Sequence, residues 1–135
     1  MDSHENIALI RKYIEERWNR RKLSLIDELV SADFILHTPS GDIDLATFKE
    51  AIRSYLESFP DSHVVIEDVL ADGNRIAMRY AFSGTHSAEF MGIKATGKRT
   101  LCNGMAFYRI ADERIAEGWF VEDTLGLLQQ LGAGR

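Results

Sequence analysis

The residues best suited to acid–base chemistry stand near the C-terminal end, in the run from Arg114 to Asp123. If that run is extended, alternation puts Ile115, Glu117, Trp119 and Val121 on one side, with Asp123 in phase. Trp119 then offers a flat apolar wall, and an acid beside such a wall loses hydration. Desolvation favours the neutral carboxyl and moves its pKa toward neutrality, where a general acid or base works best. Asp123 has a second reading. It stands just before a short helical stretch and could cap it by accepting from the amides of Leu125 or Gly126. Capping bonds favour the charged carboxylate, so the two readings predict opposite pKa shifts. Glu117 and Glu122 are expected in solvent.

Other polar groups could assist. His37, His63 and His86 fall near strand ends or edges, where an imidazole can line a pocket mouth and exchange a proton, or simply sit at the surface. Their spacings match no metal-ligand signature, so no metal is expected. Arg79 is a long cation between Ala77 and Ala81. Buried, it would require a carboxylate or an anionic ligand; exposed, it is a surface or interface arginine. Phe90-Met91-Gly92-Ile93 places apolar side chains on a glycine-containing loop, which suits either a pocket lid or a subunit contact. Tyr13, Trp18 and Phe59 could complete an apolar pocket or serve as core. No Gly-rich phosphate loop, Cys-x-x-Cys pair or Gly-x-Ser-x-Gly elbow is present, and no cofactor is expected.

These groups need a scaffold. Ile7, Ile10, Ile14 and Trp18 recur at steps of three and four and predict a first helix with Ser3 as its cap. Leu25 to Val30 suggests a second, shorter helix, and Phe34-Ile35-Leu36-His37 an extended piece broken by Pro39 and Gly41. Asp44 reads as the cap of a third helix along Leu45, Phe48, Ile52, Tyr55 and Phe59, stopped by Pro60. The period then changes. Residues 64–71, 75–82, 99–110 and 114–121 are strand-like, joined in pairs through Asp72-Gly73 and through Ala111-Asp112-Glu113, and connections this short require antiparallel pairing. A final helix covers residues 124–131. Helices first and antiparallel strands afterwards is an α+β order, in which a curled sheet wraps helices and leaves a tapering cavity. Both sheet faces are fairly apolar, as they would be if one met the helices and the other a second copy; a homodimer through the sheet is expected.

Composition narrows the function. The 135 residues suit one domain over 1–135, with 45% hydrophobic and 27% charged residues, an ordinary globular mixture. A net charge of −5 disfavours a nucleic-acid partner. The short basic cluster Arg17, Arg20, Arg21 and Lys22 suits the negative end of the first helix. No apolar run is long enough to span a bilayer, the N-terminus lacks signal-peptide character, and Cys102 is alone. A cytoplasmic protein that binds neither membrane nor nucleic acid is expected.

Several segments resemble the SnoaL-like polyketide cyclases, also called ester cyclases. They are Phe59-Pro60-Asp61-Ser62-His63, the stretch from Leu70 to Arg79, Gly84 to Ile93, Thr96-Gly97-Lys98, Arg109-Ile110-Ala111-Asp112, and Arg114-Ile115 with Glu117, Trp119 and Asp123 before Leu125 to Gly132. The resemblance spans roughly residues 32–132. It implies the cone-shaped fold of the nuclear transport factor 2-like (cystatin-like) superfamily, a curved antiparallel sheet wrapped by N-terminal helices around a pocket, usually dimeric or tetrameric. It implies Asp123 as the acid/base of an intramolecular aldol ring closure, as in a lyase or isomerase. It also implies pocket or near-pocket places for His37, His63, Arg79, His86 and Trp119. Two departures stand out: no proline at Lys94-Ala95, and Gly118 where a larger polar residue is common. The leading expectation is cofactor-independent proton transfer on a small apolar or aromatic carbonyl compound, with aldol-type cyclisation, isomerisation or hydrolysis open. The other is a non-catalytic ligand-binding or dimerisation module of the same fold.

Overall fold

The computed structural model of the chain describes residues 2–132. Its first helix, α1 (Ser3–Lys12), is capped by Asp2, whose carboxylate accepts from the Glu5 amide at 2.8 Å. Ser3, the expected cap, instead accepts from the Gly73 amide and ties the helix to a hairpin turn. The helix then widens into a π-helical segment, Tyr13–Asn19, and the Arg20 amide reaches back five residues to the Glu15 carbonyl. That wider turn buries Tyr13, Ile14, Arg17 and Trp18 together. A short α2 (Leu25–Leu29) leads into β1 (Val30–Thr38). Pro39 and Gly41 do not merely break the chain there. They lie at a tight reversal into β2 (Gly41–Asp44), a strand the sequence pattern did not announce. Asp44 caps α3 (Leu45–Ser58) as expected, accepting from the Thr47 amide at 2.9 Å.

The remaining strands are β3 (His63–Asp72), β4 (Arg75–Thr85), β5 (Arg99–Ala111) and β6 (Arg114–Glu122), followed by α4 (Thr124–Gln130). They form one curved, unclosed six-stranded sheet in the order β2-β1-β6-β5-β4-β3. All neighbours pair antiparallel except β1 and β6, which run parallel. A parallel pair needs a long crossover, and the whole middle of the chain supplies it.

The sheet has a dry and a wet face. Ile76, Met78, Tyr80 and Phe82 of β4 and Cys102, Ala106, Tyr108 and Ile110 of β5 are buried against the helices, where they join Ile10, Ile14, Phe34 and Ile52. Burying a large apolar side chain contributes about 1.5–3 kcal/mol, so this face is the main force that holds the cone closed. On the opposite face Leu101, Met105, Phe107 and Val121 remain exposed.

One irregularity decides which residues face inward. In β6, Ile115 pairs with Ile110 while Glu117 pairs with Arg109, so Ala116 is an unpaired extra residue. A bulge of one residue reverses the alternation beyond it. Ile115 is inside, but Glu117, Trp119 and Val121 point outward, and Gly118, Phe120 and Glu122 point into the cone. Strict alternation through Ala116 therefore assigned the strand's outer half to the wrong face.

Candidate active site in the cone

Between the helices and the inner face of the sheet lies a cavity of about 650 Å³. Tyr13, Ile14, Arg17 and Trp18 line it from the first helical unit, Phe48, Ile52 and Tyr55 from α3, and Tyr80, Tyr108, Phe120 and Glu122 from the sheet. Its walls are almost wholly apolar or aromatic, so any charge within is poorly hydrated.

Glu122 is the carboxylate most enclosed there. It shares a transverse row with Gly104 of β5 and Tyr80 of β4, three residues abreast on neighbouring strands. Gly104 makes the row work: an added Cβ would lie 2.5 Å from the end of the Tyr80 ring. The bare glycine lets the phenol cross over β5, and the Tyr80 hydroxyl donates to Glu122 Oε1 at 2.5 Å. The Tyr55 hydroxyl approaches the other oxygen at 3.5 Å, a weak contact. Burial pushes the Glu122 pKa above the ordinary carboxylate range, and the Tyr80 bond only partly offsets this. Burial and the Glu122 charge together push the Tyr80 and Tyr55 phenols far up, so both remain protonated donors. A half-buried carboxyl with a raised pKa, oriented by a phenol in a dry cavity, can accept and return a proton. The expectation that Glu122 lies in solvent is overturned by the bulge that turns it inward.

Asp123 stands at the cavity mouth. One oxygen caps α4, accepting from the Gly126 amide at 2.9 Å, as one of its two expected readings has it. The residue is exposed, and its carboxylate still borders the opening.

The other expected pocket residues do not line this cavity. Trp119 is on the outer face, turned there by the bulge, where it stacks on His37 at 4.9 Å and meets Phe107 edge-on. His37 goes with it and is held between Asp42 Oδ1 at 2.7 Å and Glu117 Oε2 at 2.6 Å, which raise its pKa. Arg79 lies on the same outer face, exposed, with Glu67 at 3.6 Å. His63 opens β3 and is exposed. His86 is fully buried behind β4, where its Nδ1 accepts from the Thr96 amide at 3.2 Å. Phe90 is core, packed on Tyr55 and Phe59 at 5.3 and 5.2 Å, while its neighbour Met91 reaches the cavity rim. The loop docks through Phe90 because an aromatic ring gains more by filling the gap beside Phe59 than by covering an opening. Gly118 is enclosed by Leu36 and Tyr108, which fill the place of a larger residue. Cys102 is buried and its thiol is pushed up to about 12, which removes it as a nucleophile. Among the described residues, no group of three His, Cys, Asp or Glu could hold a metal ion.

Two side chains of the site escaped the sequence reading. Glu122 gave no signal, because its orientation depends on the bulge. Arg17 did give one: it follows Tyr13 by four residues and Ile14 by three, so it shares their face. It sits in the cavity, not at the end of the helix dipole.

The same architecture recurs in solved structures. AclR, a proposed hydroxylase from Streptomyces galilaeus, is 29% identical with a TM-score of 0.90, over 96% of this chain and 97% of that one. IdmH, a proposed polyketide cyclase from Streptomyces antibioticus, is 28% identical with a TM-score of 0.86, over 96% and 100%. A proposed SnoaL-like polyketide cyclase from Jannaschia sp. CCS1 shares the fold at 18% identity and a TM-score of 0.89, over 98% and 95%. No curated protein matches the sequence. Family and neighbours support a small-molecule, cyclase-type role. The family's sequence pattern matches residues 8–131, from within α1 through α4, and the chain belongs to the SnoaL-like polyketide cyclases.

Proposed function

We propose that this protein is a cofactor-independent enzyme that moves a proton on a small apolar or aromatic carbonyl compound held in the cone. The observation that carries the reading is Glu122, a carboxyl with a raised pKa, bound by Tyr80 inside an otherwise apolar cavity. As a base, its carboxylate takes the proton from the carbon next to the carbonyl, and the electron pair of that C–H bond becomes the enolate. In an aldol closure, the enolate carbon attacks a second carbonyl of the same molecule. Glu122, now protonated, returns its proton to the new alkoxide. Isomerisation uses the same two transfers with the proton returned to a different atom.

Asp123 is the second candidate, because it borders the same opening and its position matches the family's acid. The two are separated by solvent-deuterium exchange at the α-carbon of a flat aromatic ketone such as 1-tetralone, followed by NMR. Glu122→Gln should lower the exchange rate about 10²–10⁴-fold, while Asp123→Asn stays within about tenfold. The reverse pattern gives the role to Asp123. Exchange no faster than buffer with the unsubstituted protein favours a binding module instead.

The exposed apolar strip on the outer face, Leu101, Met105, Phe107 and Val121, supports a homodimer packed sheet to sheet. Met105→Glu should shift the protein toward monomer in sedimentation equilibrium; a mass unchanged by that charge, or monomeric from the start, argues against it. The lone, buried Cys102 fits a reducing cytoplasm.

A further inference from the structure

Among the described residues Arg17 has no counter-ion. Its side chain is buried at 5% exposure and lines the cavity, yet among the described residues no carboxylate lies within 4.0 Å of it. Its one hydrogen bond is a long one, from Nε to the Tyr13 carbonyl at 3.4 Å. Both terminal nitrogens make no bond to the protein among the described residues. Three rings surround the guanidinium: Tyr13 at 4.1 Å, Trp18 at 5.4 Å and Phe48 at 5.8 Å from its central carbon. Those rings hold its plane and partly offset its lost hydration, but they accept no hydrogen bond in the plane of the fork.

The Tyr13 hydroxyl is a second unmet group at the same place. It is buried and has no hydrogen-bond partner among the described residues. Burial raises its pKa and the Arg17 charge only partly opposes this, so it remains an O–H donor. A buried hydroxyl without an acceptor, beside a guanidinium fork that opens onto the cavity, is costly unless a ligand meets both. Both belong to the π-helical segment, and such segments are frequent at functional sites because they cost stability.

We propose that the cavity takes a ligand with a carboxylate, which docks on the fork of Arg17 beside the Tyr13 hydroxyl. A planar, delocalised anion matches two parallel N–H donors, whereas a neutral carbonyl leaves the charge uncompensated. Arg17 and Glu122 line the same cavity without forming a pair, and Tyr108 lies in the field of both. One end of the ligand is thus anchored electrostatically, and the other is presented to the proton-transfer group. This rests on the reading of Glu122 given above and adds a substrate class to it: an aromatic or polycyclic keto acid.

The test compares acids with their neutral isosteres at pH 7, using quenching of tryptophan emission, since Trp18 lines the cavity. The probes are benzoate, 2-naphthoate and anthracene-2-carboxylate against their primary amides. At least one acid should bind about tenfold or more tighter than its amide, as expected for a charge-assisted pair. Arg17→Met should abolish that preference, and Arg17→Lys should retain part of it. Equal binding of acid and amide at all three ring sizes, or no binding of any acid at millimolar concentration, overturns the proposal. It needs no variant, so a substitution that unfolds the protein does not obscure it. Glu122→Gln should leave the preference in place. If turnover survives Glu122→Gln while the preference stands, the catalytic reading fails and the anchor does not.

Discussion

The Tyr80–Glu122 bond should set the pH at which the site works, and Tyr80→Phe removes only the hydroxyl that makes it. The phenol donates to Oε1 at 2.5 Å, while the nearest substitute, the Tyr55 hydroxyl, is 3.5 Å from the other oxygen and cannot take over without moving. A hydrogen bond to a charged group contributes about 1.5–3 kcal/mol. At about 1.36 kcal/mol per pKa unit, its loss changes the ionisation constant by roughly one to two orders of magnitude. The sign is upward, because the bond favours the carboxylate while burial disfavours it. The titration of Glu122 in protein labelled at the glutamate carboxyl carbon should therefore move to higher pH in Tyr80→Phe, and the pH at which ketone exchange sets in should follow. Stability should differ too. Above the Glu122 pKa the variant loses a bond to a charge, and below it only a neutral bond, so the destabilisation in urea should grow as pH rises. A Glu122 titration unmoved or shifted downward by Tyr80→Phe would refute the account.

Two further perturbations probe the frame of the site. Gly104→Ala puts a methyl group 2.5 Å from the Tyr80 ring end and 3.0 Å from Glu122 Cγ, so both must shift. Overpacking of this kind costs about 1–3 kcal/mol, and it should mimic the pH effect of Tyr80→Phe in addition; a variant with unchanged melting and unchanged Glu122 titration would contradict the packing described. The outer cluster gives a different pH signature. Glu117 and Asp42 raise the His37 pKa above its ordinary 6.5, so its stabilisation is complete below 6.5 and is lost as pH rises through the raised value. His37→Gln should therefore be most destabilising at mildly acidic pH in urea titrations and least so at alkaline pH, whereas a difference independent of pH would exclude the ion pairs.

The fold was largely legible because local signals agreed. Asp44 before an apolar stripe, Asp-Gly between two alternating runs and Pro60 after a helix each act through near neighbours, and each held. What failed depended on distant partners. The pairing of β1 with β6 joins the two ends of the chain, and β2 exists only because β1 offers it an edge. The site was less legible for the same reason. Histidine and tryptophan attract attention by type, yet His37 and Trp119 pack on the outer face while Glu122, expected in solvent, faces in. Arg17 was grouped by charge with Arg20, Arg21 and Lys22, although its spacing from Tyr13 and Ile14 placed it on the buried side.

The bulge at Ala116 also bears on how such a cone changes over time. Its effect resembles a reading frame more than a contact: whether the extra residue is bulged or paired sets the phase of everything between it and the end of the strand. Were Ala116 drawn into regular pairing with β5, the inward set Gly118, Phe120 and Glu122 would give way to Glu117, Trp119 and Val121 without a change in any of them. Deleting Ala116 would instead leave the inward set as it is. Two descendants could thus share the letters of their closing strand and, differing in whether it bulges, present different chemistry to the same cavity. Aligning residues by type across relatives is then unsafe until the bulge of each has been located.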